Sequence, residues 1–269
     1  IDAFIEAVKI DNQTVELHFA LGSLFRRRGE TDRAIRMHQN LIDREDLSDE
    51  QRQHALSELG LDFLKAGLLD RAEAVFVKLR GTRFNEFALN NLLDIYQQEK
   101  DWKKAIEIAE ALPHHEGVLW EKEVANFHCE LAAVAMANSR FDEAMASLLR
   151  ALELNRKSVR ANMLMGDLCA SRGDDRAALE AWKMVEKQNP IYLALVAERI
   201  MDAYRRLGEL EQGIQLLRSY LDKYPSLDLL DALFQWELQK EGPQVAYQLV
   251  RDELRRNPTL LGLDKLLEA

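Results

Sequence analysis

Small, aromatic and turn-forming residues return along this chain in a fixed phase, about every 34 positions. A small residue recurs as Ala34, Ala72, Ala105, Ala144, Ala178, Gly213 and Ala246, at intervals of 38, 33, 39, 34, 35 and 33 residues. Twelve residues before three of these stands another small residue, Gly22, Gly60 or Gly166. Nine residues before four of them stands an aromatic, Phe25, Phe63, Tyr96 or Tyr204, and Phe76 and Trp182 follow their alanines by one helical turn on the same face. Gly29, Gly67, Gly173 and Gly208 lie five residues before the marker, where glycine ends a helix in the left-handed region without a Cβ clash. Pro190, Pro225 and Pro258 close the unit, since proline stops one helix and can start the next. The pattern predicts pairs of helices that approach at the small residues, with the aromatics packed between them rather than forming a cofactor box.

A period near 34 with these landmarks is that of the tetratricopeptide repeat. The expected fold is therefore all-α, a superhelical solenoid of seven hairpins over 14–258 within one array spanning 1–269. Residues 1–13 read as the second helix of a truncated repeat, and 259–269 as the first helix of another, so both ends read as cuts through a longer protein. Two connections look longer than standard: Asp43 to Gln51, and Pro113 to Trp120, which contains His114, His115, Glu116 and Gly117.

Composition narrows the function. Net charge is -10, and the densest basic cluster, Arg26 to Arg28, sits in acidic surroundings, so no basic stripe suited to nucleic acid is present. Cys129 and Cys169 are forty residues apart, without Cys-x-x-Cys spacing, and two free thiols fit a reducing compartment. The longest apolar run, Leu131 to Ala137, is too short to span a bilayer. Among His18, His38, His54, His114, His115 and His128 no His-x-x-x-His pair occurs, and neither a phosphate-cradling glycine motif nor a nucleophile elbow is found. No catalytic residue, metal ligand or cofactor is expected in this chain, which reads as a non-enzyme.

Stacked hairpins leave a groove lined by their first helices, a surface that commonly holds a peptide or helix. Counting helical positions back from each marker puts Phe19, Ser23, Arg26, Leu61, Lys65, Asn90, Asp94, Gln97, Asn126, Cys129, Met163 and Asp167 there, then Glu198, Asp202, Arg205, Asp231 and Gln235. Its N-terminal section reads as basic and apolar, its C-terminal section as acidic, which suits a partner of mixed character. Chaperone-cofactor members of this repeat class grip a carboxylate with lysine and asparagine. The matching positions here (Phe19, Ser57, Asn90, Cys129, Met163, Glu198, Asp231) hold no lysine, so a two-carboxylate clamp is not expected.

Several stretches are more specific than the generic repeat: 20–30, 32–41, Leu59 with Gly60, 66–73 and 127–132. Together they resemble the lipopolysaccharide assembly protein B family, most strongly over the first four hairpins. That resemblance implies a repeat domain on the cytoplasmic face of the bacterial inner membrane, hung there by an N-terminal helix, and soluble as the present fragment. It implies a C-terminal rubredoxin-like knuckle with iron or zinc, whose ligands find no match in this chain. It also implies an adaptor for the membrane-bound protease FtsH, promoting degradation of LpxC, the deacetylase that commits precursor to lipid A, with an inner-membrane lipopolysaccharide regulator as a further partner. Residue patterns alone leave open a homodimer, a generic assembly or chaperone-like scaffold, and an accessory repeat domain of a larger enzyme.

Overall fold

A computed structural model describes residues 14–113, 119–256 and 258, so the readings placed on 1–13, on the histidine loop and on 259–269 lie outside the described residues. Fourteen α-helices are found among the described residues, and they fall into two compact units, 1–117 and 118–269. The first unit holds three hairpins: α1 (Val15–Arg27) with α2 (Thr31–Ile42), α3 (Asp49–Lys65) with α4 (Leu69–Leu79), and α5 (Asn85–Glu99) with α6 (Trp102–Ala111). The second holds four: α7 (Leu119–Ala137) with α8 (Phe141–Leu154), α9 (Val159–Ser171) with α10 (Asp175–Gln188), α11 (Leu193–Arg206) with α12 (Leu210–Lys223), and α13 (Leu227–Lys240) with α14 (Pro243–Arg256). Within each unit the first helices of neighbouring hairpins also touch, α1 with α3, α7 with α9 and α11 with α13.

All seven marker residues are buried, the six alanines completely. Their partners explain why. A Cβ added at Gly22 would come within 2.4 Å of the His38 ring, one at Gly60 within 2.6 Å of Phe76, and one at Gly166 within 2.2 Å of Trp182. A glycine on the first helix thus seats a ring carried four residues past the marker on the second. Interiors tolerate little error in volume, so glycine and ring specify one another.

The four turn glycines take φ of +72° to +81°. In the third and fourth hairpins Lys100 and Ser139 occupy the same turn position at φ +57°, and in the seventh Gly242 takes it one residue later at φ +91°. A side chain in the left-handed region costs about 1–2 kcal/mol, partly offset by the chain entropy glycine loses on folding. Lys100→Gly and Ser139→Gly should each therefore stabilise their unit by about 0.5 kcal/mol. A raised denaturant midpoint at unchanged slope is the expected result, and a lowered one would show that these side chains make compensating contacts.

Side chains cap several helix starts: Asp101, Ser158 and Asp174 accept from backbone N–H groups three residues on. The long connection after α2 is held at three points. Ser48 and Gln51 form a reciprocal capping box. Leu47 is buried, and the Arg52 guanidinium donates to the carbonyls of Ile42 and Arg44. Exposed ion pairs one repeat apart, such as Lys104–Glu73, Arg206–Asp175 and Lys223–Glu186, link successive hairpins. Each contributes about 0–1 kcal/mol, so they mark register more than they hold the stack.

Candidate functional site

In the first unit the groove face of α1 meets α3 through a polar node. Arg26 donates to Asp62 Oδ1 at 2.8 Å, to Glu58 Oε2 at 2.7 Å and to the Glu58 carbonyl at 3.1 Å. Ser23 Oγ donates to Glu58 Oε2 at 3.0 Å, and His38 Nδ1 lies 2.5 Å from Asp62 Oδ2. Asp62 and His38 are fully buried, whereas Arg26 keeps 17% of its side-chain surface. Burial alone would lower the Arg26 pKa, but its two carboxylate partners outweigh that and raise it. Burial likewise pushes Glu58 up, and the Arg26 guanidinium with the Ser23 hydroxyl pulls it below the usual value.

That geometry corrects the expectation of a basic N-terminal groove. Arg26 is committed to α3 rather than offered to a partner, while Lys65 is exposed with no ion pair among the described residues. Beside the node runs an aromatic row. Phe19 stacks on His54 at 4.2 Å, His54 faces Phe84 at 6.1 Å, and Phe84 meets Phe87 edge-on at 6.4 Å. Leu61 and Gln97 are half-buried; Asn90 and Asp94 are exposed, Asn90 bonding back to the Glu86 carbonyl.

In the second unit the corresponding face is built around Asp167. Trp182 Nε1 donates to the Met163 carbonyl at 3.2 Å and to Asp167 Oδ1 at 3.3 Å, while Arg199 on α11 pairs with Asp167 at 3.0 Å. Burial raises the Asp167 pKa in spite of Arg199 and Trp182. Asp202 and Arg205 pair at 2.7 Å within α11, and the Arg205 guanidinium lies 5.4 Å from the Trp236 ring on α13. Asn126, Glu198 and Gln235 are exposed, and Met163 and Asp231 are half-buried.

Cys129, expected in the groove, is instead completely buried among Ala125, Ala151 and Ala161. Burial pushes its thiol up to about 11, so it is protonated at neutral pH. Ser57, at the equivalent place in the second hairpin, is also buried and donates to the His54 carbonyl. Residues that helical counting does not single out carry much of the site: His38, His54, Glu58, Asp62 and Arg199. His38 carried a usable signal, since it stands four residues after Ala34, where Phe76 and Trp182 follow their own alanines, and opposite Gly22.

Models of the tetratricopeptide repeat match residues 17–52, 129–190 and 198–226. Lipopolysaccharide assembly protein B of Escherichia coli strain K12 is 35% identical over 269 residues, aligning with all of this chain and 69% of its own length. Its namesake in Haemophilus influenzae is 31% identical over 255 residues, 94% of this chain and 64% of that one. A solved tetratricopeptide repeat protein from Parabacteroides merdae overlaps 95% of this chain and 98% of its own at 17% identity and a TM-score of 0.41. With the whole chain aligned at 35% identity along a series of tetratricopeptide hairpins, the protein belongs to the lipopolysaccharide assembly protein B family.

Proposed function

We propose that this chain is the partner-holding part of an adaptor in lipopolysaccharide assembly, acting at the cytoplasmic face of the inner membrane. In this reading it presents the deacetylase LpxC to the protease FtsH and answers to an inner-membrane lipopolysaccharide regulator. The observation that carries it is the relationship of the whole chain to 69% of lipopolysaccharide assembly protein B. The geometry supports the same reading. In each unit, first helices are cross-linked on one face by ion pairs and ring contacts, at Arg26–Glu58 in the first and Asp167–Arg199 in the second. A surface fixed in this way loses little side-chain freedom when a partner docks. The side chains left for that partner are Lys65, Asn90 and Asp94 in the first unit and Asn126, Glu198 and Gln235 in the second.

The test is the half-life of LpxC in cells whose own family member is replaced by the full gene carrying Lys65→Glu, Asp94→Lys or Glu198→Lys. Each substitution is exposed and leaves the core alone, so steady protein levels with a several-fold longer LpxC half-life are expected for at least one. Unchanged turnover in all three, and in their combination, would remove these faces from the mechanism. Unchanged turnover on deleting the whole gene would remove the adaptor reading itself.

A further inference from the structure

The connection between α10 and α11 displays an apolar tip. Ile191 is 79% exposed, Leu195 58% and Tyr192 43%. No other five-residue stretch among the described residues exposes three large apolar side chains. Leu195 follows Ile191 by four residues and Tyr192 by three, so all three gather on one side of the helix start. The tip has a defined turn: Pro190 opens a 3-10 turn over Pro190–Tyr192, and Asn189 Oδ1 accepts from the Ile191 N–H at 3.2 Å.

Cations flank it. Lys187 stands four residues before Ile191, and Arg156 and Lys157 lie on the preceding connection, which Gln188 Nε2 ties alongside by donating to the Arg156 carbonyl at 3.1 Å. All three are exposed and make no ion pair among the described residues. The neighbouring acids Glu153 and Glu186 are each occupied, by Arg150 at 3.0 Å and by Lys223 at 3.1 Å. Glu198 is exposed one turn further along α11. A chain of net charge -10 therefore carries, at this edge, an apolar tip with three free positive charges beside it.

We propose that this edge of the second unit docks on an anionic lipid bilayer, with Ile191, Tyr192 and Leu195 entering the headgroup boundary and Arg156, Lys157 and Lys187 meeting lipid phosphates. A side chain as exposed as Ile191 projects outward, and a fluid apolar phase accepts a projection for which a protein partner would need a preformed pocket. Tyrosine is favoured at such boundaries, where its ring is apolar and its hydroxyl wet. Charge complementarity selects the anionic surface, each cation near it strengthening attachment up to about fivefold. Attachment through so few groups is weak and reversible, in line with the two-signal rule for stable anchoring.

The 269-residue chain should co-sediment with vesicles containing phosphatidylglycerol, release at high salt, and stay in solution with vesicles of phosphatidylcholine alone. Ile191→Ser with Leu195→Ser, and separately Arg156→Ala with Lys157→Ala and Lys187→Ala, should each weaken binding at least tenfold. All five positions are exposed, so an unchanged circular dichroism spectrum is expected alongside. Absence of binding to phosphatidylglycerol vesicles would overturn the proposal, as would equal binding by the apolar double variant. So would a dimer in analytical ultracentrifugation that this double variant dissolves, for the occupant would then be a second copy of the chain.

Discussion

Trp182→Ala is expected to destabilise the second unit by about 3–5 kcal/mol, the usual cost of emptying a buried indole site. Trp182 is almost wholly buried, and its Nε1 bridges the Met163 carbonyl and Asp167. Its loss would open a cavity under α9 and remove one of the groups holding Asp167 on the groove face. Gly166→Ala attacks the same contact from the other side. The added methyl would lie 2.2 Å from the ring nitrogen, and such overpacking costs about 1–3 kcal/mol. Together the two changes should cost less than their sum, because the new methyl enters space the indole has left. A coupling of at least about 1 kcal/mol in a double-mutant cycle, read from denaturant midpoints, is expected. Additivity within experimental error would show that glycine and ring are not packed as a pair.

Asp62→Ala is the second large effect, about 3 kcal/mol on the first unit, because it leaves the fully buried His38 without its carboxylate and takes from Arg26 one of its two, Glu58 remaining. Asp62→Asn keeps the shape and part of the hydrogen bonding, so it should cost less. Glu58 adds a pH dependence. Its folded pKa lies below the ordinary 4.5, so its stabilising contribution is present above that value and fades as pH falls through the lower folded one. The first unit should therefore lose stability on acidification below about pH 4.5, and Glu58→Gln should flatten that slope. An unaltered slope in Glu58→Gln would assign the acid sensitivity elsewhere. Groove function should fall with both Asp62 variants in proportion to stability, since Asp62 is buried and supports the groove without lining it.

The hairpins were legible because their determinants are local. Ala34, Ala72 and the other markers fall where two helices must approach, and all are buried. Gly29, Gly67, Gly173 and Gly208 fall where the backbone must turn left-handed. Residue preference does not mark the third and fourth turns at Lys100 and Ser139, which are closed by backbone bonds from Asp101 to the Tyr96 carbonyl and from Arg140 to the Ala135 carbonyl. The groove was legible only in outline. Helical counting assigns Ser23, Arg26 and Asp167 to the first-helix face, where they meet Glu58 and Arg199 of the neighbouring first helices, yet it also assigns Cys129 there, whose thiol is completely buried.

The repeat was settled by residue order alone: its period, its glycine-marked turns and the small residues at the close approaches. These depend on residues within one hairpin, where periodicity and backbone sterics speak directly. Which polar groups are free was decided only when the helices came together. Arg26 reads as a groove cation, but folding brings Glu58 and Asp62 to it from more than thirty residues away. Arg199 reaches Asp167 across a comparable distance in the chain. The exposure of Ile191 and Leu195 belongs to the same class, since no local pattern separates an apolar side chain that will be covered by the next helix from one that will not. Pairing and exposure are properties of helices set side by side, and the physical reason is the same in each case: electrostatic and hydrophobic partners are chosen by proximity in space, which repeat periodicity predicts only within a hairpin.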